Sequence, residues 1–225
     1  MNESCTYKNP LQKARICISE FYIALVITLL SISFWSTFVL YFRPIYKWAV
    51  SLFHIERSSG LSKQVMYENY NALINYYYPW VKGNLSLPSL PQSSHAIQHF
   101  AEVKDIFNLF LFIIPVTLIL LLVYLWCKRG QKNLHFLKTA SITMIAAPLV
   151  LGCGFATNFD KTFETFHKLF FDNDYWIFDP NTDPIINMLP EQFFMLCGIF
   201  IIGFVLLTSL FCFLLYKGTS RKGMD

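Results

Sequence analysis

The chain has 225 residues, of which 55% are hydrophobic, 18% aromatic and only 14% charged, with a formal net charge of +4. That balance is that of a membrane protein and excludes an ordinary soluble domain, in which about a quarter of the residues carry charge. It also excludes a nucleic-acid surface, because the positive charge is spread over three short segments that flank apolar runs.

Crossing the hydrocarbon core takes roughly 20 apolar residues, and four runs qualify: 21–42, 106–127, 137–159 and 193–216. The predicted fold is an all-α integral membrane protein, one domain over 1–225, with a four-helix transmembrane bundle and a cap of helices and loops. The first run is too long for the apolar region of a signal peptide and lacks a small-x-small cleavage site, so it reads as a retained anchor. The third run is the weakest. It opens near Lys138, which can snorkel, and carries Pro148, Gly152, Gly154, Thr157 and Asn158.

Basic residues set the orientation. Lys8, Lys13 and Arg15 precede the first run, Lys128, Arg129, Lys132 and Lys138 surround the second connection, and Lys217, Arg221 and Lys222 follow the last run. Segments 1–20, 128–136 and 217–225 are therefore expected in the cytoplasm, with both termini, and segments 43–105 and 160–192 outside. The six cysteines (Cys5, Cys17, Cys127, Cys153, Cys197 and Cys212) all fall in runs or cytoplasmic segments. No outer disulfide and no outer-face cysteine nucleophile is expected.

The first outer segment opens with RPIYKWAV, where Tyr46 and Trp48 suit an interface belt. Met66, Tyr70, Leu73, Ile74 and Tyr77 then recur at helical spacing, which predicts an amphipathic helix from Lys63, on the membrane or on the bundle, ended by Pro79. After the breakers Pro88 and Pro91, Ser93 or Ser94 is placed to cap a helix that runs into the second crossing. His95, His99 and Glu102 share one face of that helix. They fit a wet face above the bilayer. His-x-x-x-His is also half of a metal site, although HExxH is absent, and a third ligand would be Glu102 or His167.

The second outer segment holds seven acids against two lysines, with one histidine. Phe159, Phe163, Phe166 and Phe170 recur every three to four residues, predicting a short helix that continues the third crossing with an aromatic face. His167 lies at the edge of that face, where burial would hold its imidazole neutral, and Glu164, one turn back, is a candidate to orient it. A core histidine satisfied by one backbone bond fits equally well. Asp172, Asp174, Asp179 and Asp183 follow, two of them before proline, as an ordered loop. The calcium-loop pattern is missing, so these acids are expected to cap helices or pair with Arg43, Lys104 or Lys161. Pro190 and Glu191 suit the first turn of the fourth crossing.

The segments SHAIQHFAEVKDIF and FDKTFETFHKLFFDNDYWIFDPNTDPIINMLPEQFF, with YNALINYYYPW, resemble signature regions of a bacterial integral membrane family. That family includes the lipoprotein intramolecular transacylase (Lit) of Gram-positive bacteria. An HFxEVK-type pattern matches at His99, Phe100, Glu102, Val103 and Lys104, and an FHxxFF-type pattern at Phe166, His167, Phe170 and Phe171. The resemblance implies acyl transfer from the sn-2 position of a diacylglyceryl group to the α-amino group of a lipoprotein's N-terminal cysteine, giving the lyso-form. It implies His167 and His99 as the catalytic pair, with Glu102, Lys104, Asp174, Asp179, Asp183, Glu164 and His95 as supporting candidates. The exchange of ester for amide runs downhill, so neither a cofactor nor a metal is expected; the partners are a diacylated lipoprotein and membrane lipid. Two rivals are a metalloenzyme built on His95, His99 and His167, and a non-enzymatic interaction protein. A transporter is disfavoured because no run carries a buried charge.

Overall fold

A computed structural model describes residues 10–129 and 134–221. Cys5, Lys8, Lys132 and Lys222 lie outside the described residues, as does Asp225. The described residues are helical, without strands: α1 (Pro10–Tyr41), α2 (Pro44–Phe53), α3 (Ile55–Ser59), α4 (Lys63–Tyr76), α5 (Ser94–Cys127), α6 (His135–Thr157), α7 (Phe159–Phe170), α8 (Ile185–Met188) and α9 (Glu191–Arg221). Among these residues three helices are long and apolar enough to cross a membrane: Cys17–Tyr41, Ser94–Cys127 and Glu191–Thr219. The run 137–159 is covered by α6, which ends at Thr157, and by Phe159, the first residue of α7.

Helix α1 is central, packing against α5, α6 and α9, and α6 packs along α9. Ile23, Ala24 and Ile27 of α1 meet Ala140 and Met144 of α6 and Val205 of α9 in one buried cluster. Lipid is as apolar as leucine, so such helices are joined by close packing and by hydroxyl bonds. Thr28 bonds Thr143 at 2.9 Å, the Trp35 indole donates to Thr208 at 2.9 Å, and Ser209 donates to the Ser141 carbonyl at 2.7 Å. The outer faces of α5 and α9 are left as exposed leucine, isoleucine and phenylalanine.

The cap sits at one end of the bundle on a second core of Tyr46, Met66, Tyr70, Leu73, Ile74, Ile185, Met188 and Phe193. Tyr46 is not an interface anchor. It is fully buried, stacks on Tyr70 with centroids 4.0 Å apart, and donates its hydroxyl to the Met188 carbonyl at 2.9 Å. Trp48 is half exposed. Helix α4 lies on this core rather than on its own, capped by Ser62, whose hydroxyl accepts from Val65 N–H. Ser93 caps α5, accepting from Ala96 N–H at 3.1 Å.

Helix α7 does not simply prolong α6. Asn158 leaves helical geometry (φ −159°, ψ 100°) and its side chain caps the new helix at Lys161 N–H, 2.9 Å away. A β-carbon on Gly154 would lie 3.1–3.2 Å from the Thr162 side chain, tighter than an ordinary contact, so the close approach at the corner suits glycine.

Candidate active site

Helix α5 has 34 residues, a length of about 51 Å at 1.5 Å per residue against a hydrocarbon thickness of about 30 Å. Its first three turns, with His95, Gln98, His99, Glu102, Lys104 and Asp105, therefore project past the apolar zone into the cap. The corner at Asn158 brings α7 across to meet them. His99 and His167 face each other there with ring centroids 5.9 Å apart, and both are buried.

The shell around the two rings is aromatic. Phe171 stands 4.8 Å from His99 and 5.7 Å from His167, so it touches both. Phe178 closes the His99 side at 5.6 Å, while Phe163 and Trp176 flank His167 at 4.0 and 4.7 Å. His167 Nδ1 is 2.8 Å from the Phe163 carbonyl oxygen. A carbonyl can only accept, so Nδ1 carries the proton and the neutral ring presents a bare lone pair at Nε2. His99 Nδ1 is enclosed with no hydrogen-bond partner among the described residues. Burial, reinforced by the nearby His167, pushes the His99 imidazole down to about 4. Burial also lowers His167, against the opposing effect of its bond to Phe163. Both rings are thus held neutral.

The remaining candidates fall elsewhere. Glu102 accepts from Gln98 at 3.1 Å and from the Asn173 amide at 3.0 and 3.2 Å, tying α5 to the loop beyond α7. Glu164 does not orient His167: it is exposed and pairs with Lys168 at 2.6 Å. His95 is exposed and stacks on Tyr175, with centroids 4.3 Å apart, rather than turning toward the pair. Lys104 is on another face of α5, donating to the Val81 carbonyl and lying 4.2 Å over the Tyr76 ring.

The loop aspartates are not paired with Arg43, Lys104 or Lys161 as expected. Arg43 bonds Asn71 and Asn75 instead. Asp183 is buried and accepts from Ser93 N–H at 2.6 Å and from Thr182 at 2.8 Å. A carboxylate at that point also suits the positive end of the α5 dipole. Asp179 accepts from Asn181 N–H within a turn, and Asp174 is exposed with its carbonyl accepting from Ile177 N–H. No group of three His, Cys, Asp or Glu side chains among the described residues is arranged to hold a metal; His95 has turned away from His99.

Three residues of the site had no signal at helical spacing. Asn173 accepts Tyr175 N–H at its side chain and the Trp176 indole N–H at its carbonyl, 3.0 and 3.1 Å. That turn is what lays Trp176 on His167, while Phe178 comes from the extended stretch beyond it. Only the Asx-turn habit of the FDND sequence pointed there.

The family model described as lipoprotein intramolecular transacylase Lit matches residues 21–194. The chain belongs to the Lit family. The solved structure of membrane integral Lit from Bacillus cereus is 34% identical, with a TM-score of 0.83 over 92% of this chain and 98% of that one. Two variants of the Bacillus cereus Lit, with one histidine replaced by arginine or by alanine, each match at 33% identity and a TM-score of 0.82. They cover 95% of this chain and 96% and 97% of their own. No curated protein matches. With its apolar helices and Lit fold, the chain is an integral membrane protein.

Proposed function

We propose that this chain is a lipoprotein intramolecular transacylase that moves the sn-2 acyl chain of an N-terminal diacylglyceryl-cysteine from the glyceryl oxygen to the cysteine α-amino group. The observation that carries the reading is the pair of buried, neutral imidazoles set 5.9 Å apart in an aromatic shell. In the proposed arrangement α6 is the fourth crossing, both termini are cytoplasmic and the cap faces outward, in accord with the basic flanks.

The chemistry needs geometry, one proton acceptor and a donor for the oxyanion. An α-amino group has a reference pKa of about 7.7–8.0, so part of it is already nucleophilic at neutral pH. Its nitrogen forms a bond to the ester carbonyl carbon, and His167 Nε2 takes the proton it releases. His99 donates its ring N–H to the developing oxyanion. On collapse the carbon–oxygen bond breaks, and the His167 imidazolium returns the proton to the glyceryl oxygen. Donor and acceptor belong to one molecule, so no acyl-enzyme is required. Glu102, with Asn173, holds the two halves of the site in register; Asp183, Asp179 and Lys104 hold the frame, and Asp174, Glu164 and His95 line its rim.

Mass spectrometry of a lipoprotein's N-terminal peptide, from cells with and without this chain, tests the reaction. The expected result is an N-acyl, lyso-glyceryl cysteine that depends on the chain; an N-terminus unchanged by its presence overturns the reading.

A further inference from the structure

Helix α7 has three edges. Phe163 and His167 point inward; Asp160, Lys161, Glu164 and Lys168 form a charged edge; and Phe166, Leu169 and Phe170 form an apolar edge that no described residue covers. Leu169 is 77% exposed, and Ile177, on the following loop, is 64% exposed. Such a contiguous patch next to charge is not left to water. Through its inward edge the same helix reaches the start of the apolar outer face of α9. Phe163 contacts Phe194 at 5.8 Å, and Phe194, Met195 and Ile199 carry the exposed surface on along the long apolar helix.

We infer that α7 lies flat in the membrane interface, its apolar edge of Phe166, Leu169 and Phe170 inserted among the lipid acyl chains and its charged edge in the headgroup layer. An amphipathic helix of this kind sits about 5–10 Å into the headgroup–acyl boundary. The third edge then places His167 at the depth of glyceryl ester carbonyls. The lipid is therefore part of the support of the site, fixing the height of one imidazole while α5 fixes the other. The inference deepens the transacylase reading and rests on it for the meaning of that depth, but the depth itself is measured without any lipoprotein.

Nitroxide probes at Leu169→Cys and Phe170→Cys, and at Lys161→Cys as a control, in the full chain freed of its native cysteines and reconstituted in phosphatidylglycerol-containing vesicles, read the depth. The Leu169 and Phe170 probes should relax with oxygen and resist a water-soluble nickel chelate, with the reverse at Lys161. Equal nickel access at Leu169 and Lys161 overturns the inference, as does dipolar broadening at Leu169 that marks a second copy on the patch. Leu169→Asp in the otherwise unaltered chain gives an independent reading. With Leu169 so exposed, unfolding in detergent should not change, whereas activity in bilayers should fall at least tenfold as α7 lifts. Unchanged activity in bilayers counts against the inference even where the acyl shift itself is confirmed.

Discussion

Asn173 sets its side-chain amide against both carboxylate oxygens of Glu102, at 3.0 and 3.2 Å, across 71 residues of sequence. The contact joins the helix bearing His99 to the turn that lays Trp176 on His167. Asn173→Asp replaces a donor with a second carboxylate, so attraction becomes repulsion. Activity should fall about 10²-fold through misplacement of the rings, while Asn173→Gln recovers part of it. A pure folding defect would instead lower the yield and leave the turnover of the folded fraction unchanged.

Removing either imidazole tests the pair directly. His167→Ala should cost about 10²–10⁴-fold in rate, the usual worth of a positioned base, and His99→Ala about 10²–10³-fold, the worth of one oxyanion donor. Circular dichroism and detergent stability should stay near those of the parent. Near-parental turnover in both variants would overturn the assignment of the chemistry to this pair.

The pH dependence follows from burial. His99 is depressed to about 4 and His167 is lowered as well, so no loss of base should occur until the pH is below about 6.5, the ordinary histidine value. Above that, the rate should climb with deprotonation of the substrate amine near pH 8. An imidazole limb at or above 6.5 in the pH–rate profile would contradict the buried, neutral pair.

Stability carries the same sign. Below about pH 6.5 the unfolded chain binds a proton at His99 that the folded chain refuses until about 4, so folding free energy is lost as the pH falls through that window. Denaturation in detergent between these pH values should show the slope, and His99→Phe should reduce it to the share that His167 contributes.

Asp183 and Lys104 belong to the family-like segments but should separate from the chemistry. Asp183→Ala leaves the half-buried Ser93 N–H without its acceptor, a loss of about 1 kcal/mol, whereas Asp183→Asn keeps an acceptor oxygen and most of the stability. Lys104→Met keeps the stem but loses the bond to Val81 and the contact with Tyr76; it should lower thermal stability and leave the turnover of folded enzyme unchanged.

The long helices were legible because length and apolarity suffice, and α4 because Met66, Tyr70, Leu73 and Ile74 recur at 3.6-residue spacing on a helix that buries one face. Ser93 as a cap was legible because hydroxyls satisfy free N–H groups at helix starts. The role of Tyr46 was not, since its burial comes from Tyr70 and Met188, both distant in sequence. The break at Asn158 was not legible because an asparagine at the end of an apolar run reads as one polar residue within a continuous helix; its extended backbone and its cap on Lys161 N–H show only in the structure. Periodicity put His167 on an aromatic edge but could not say that Phe163, rather than Glu164, would hold its ring. Asn173, Trp176 and Phe178 sit in aperiodic chain, where no face exists to be read.

The corner at Asn158, with Gly154 packed on Thr162, makes the site sensitive to length rather than to composition. One residue added to the last turn of α6 rotates everything beyond it by about 100°, carrying His167 away from His99 and turning charged side chains toward the phenylalanine shell. Substitutions that keep helix and volume along α6 are tolerable at many positions; a change in the number of residues between the bundle and the corner is not.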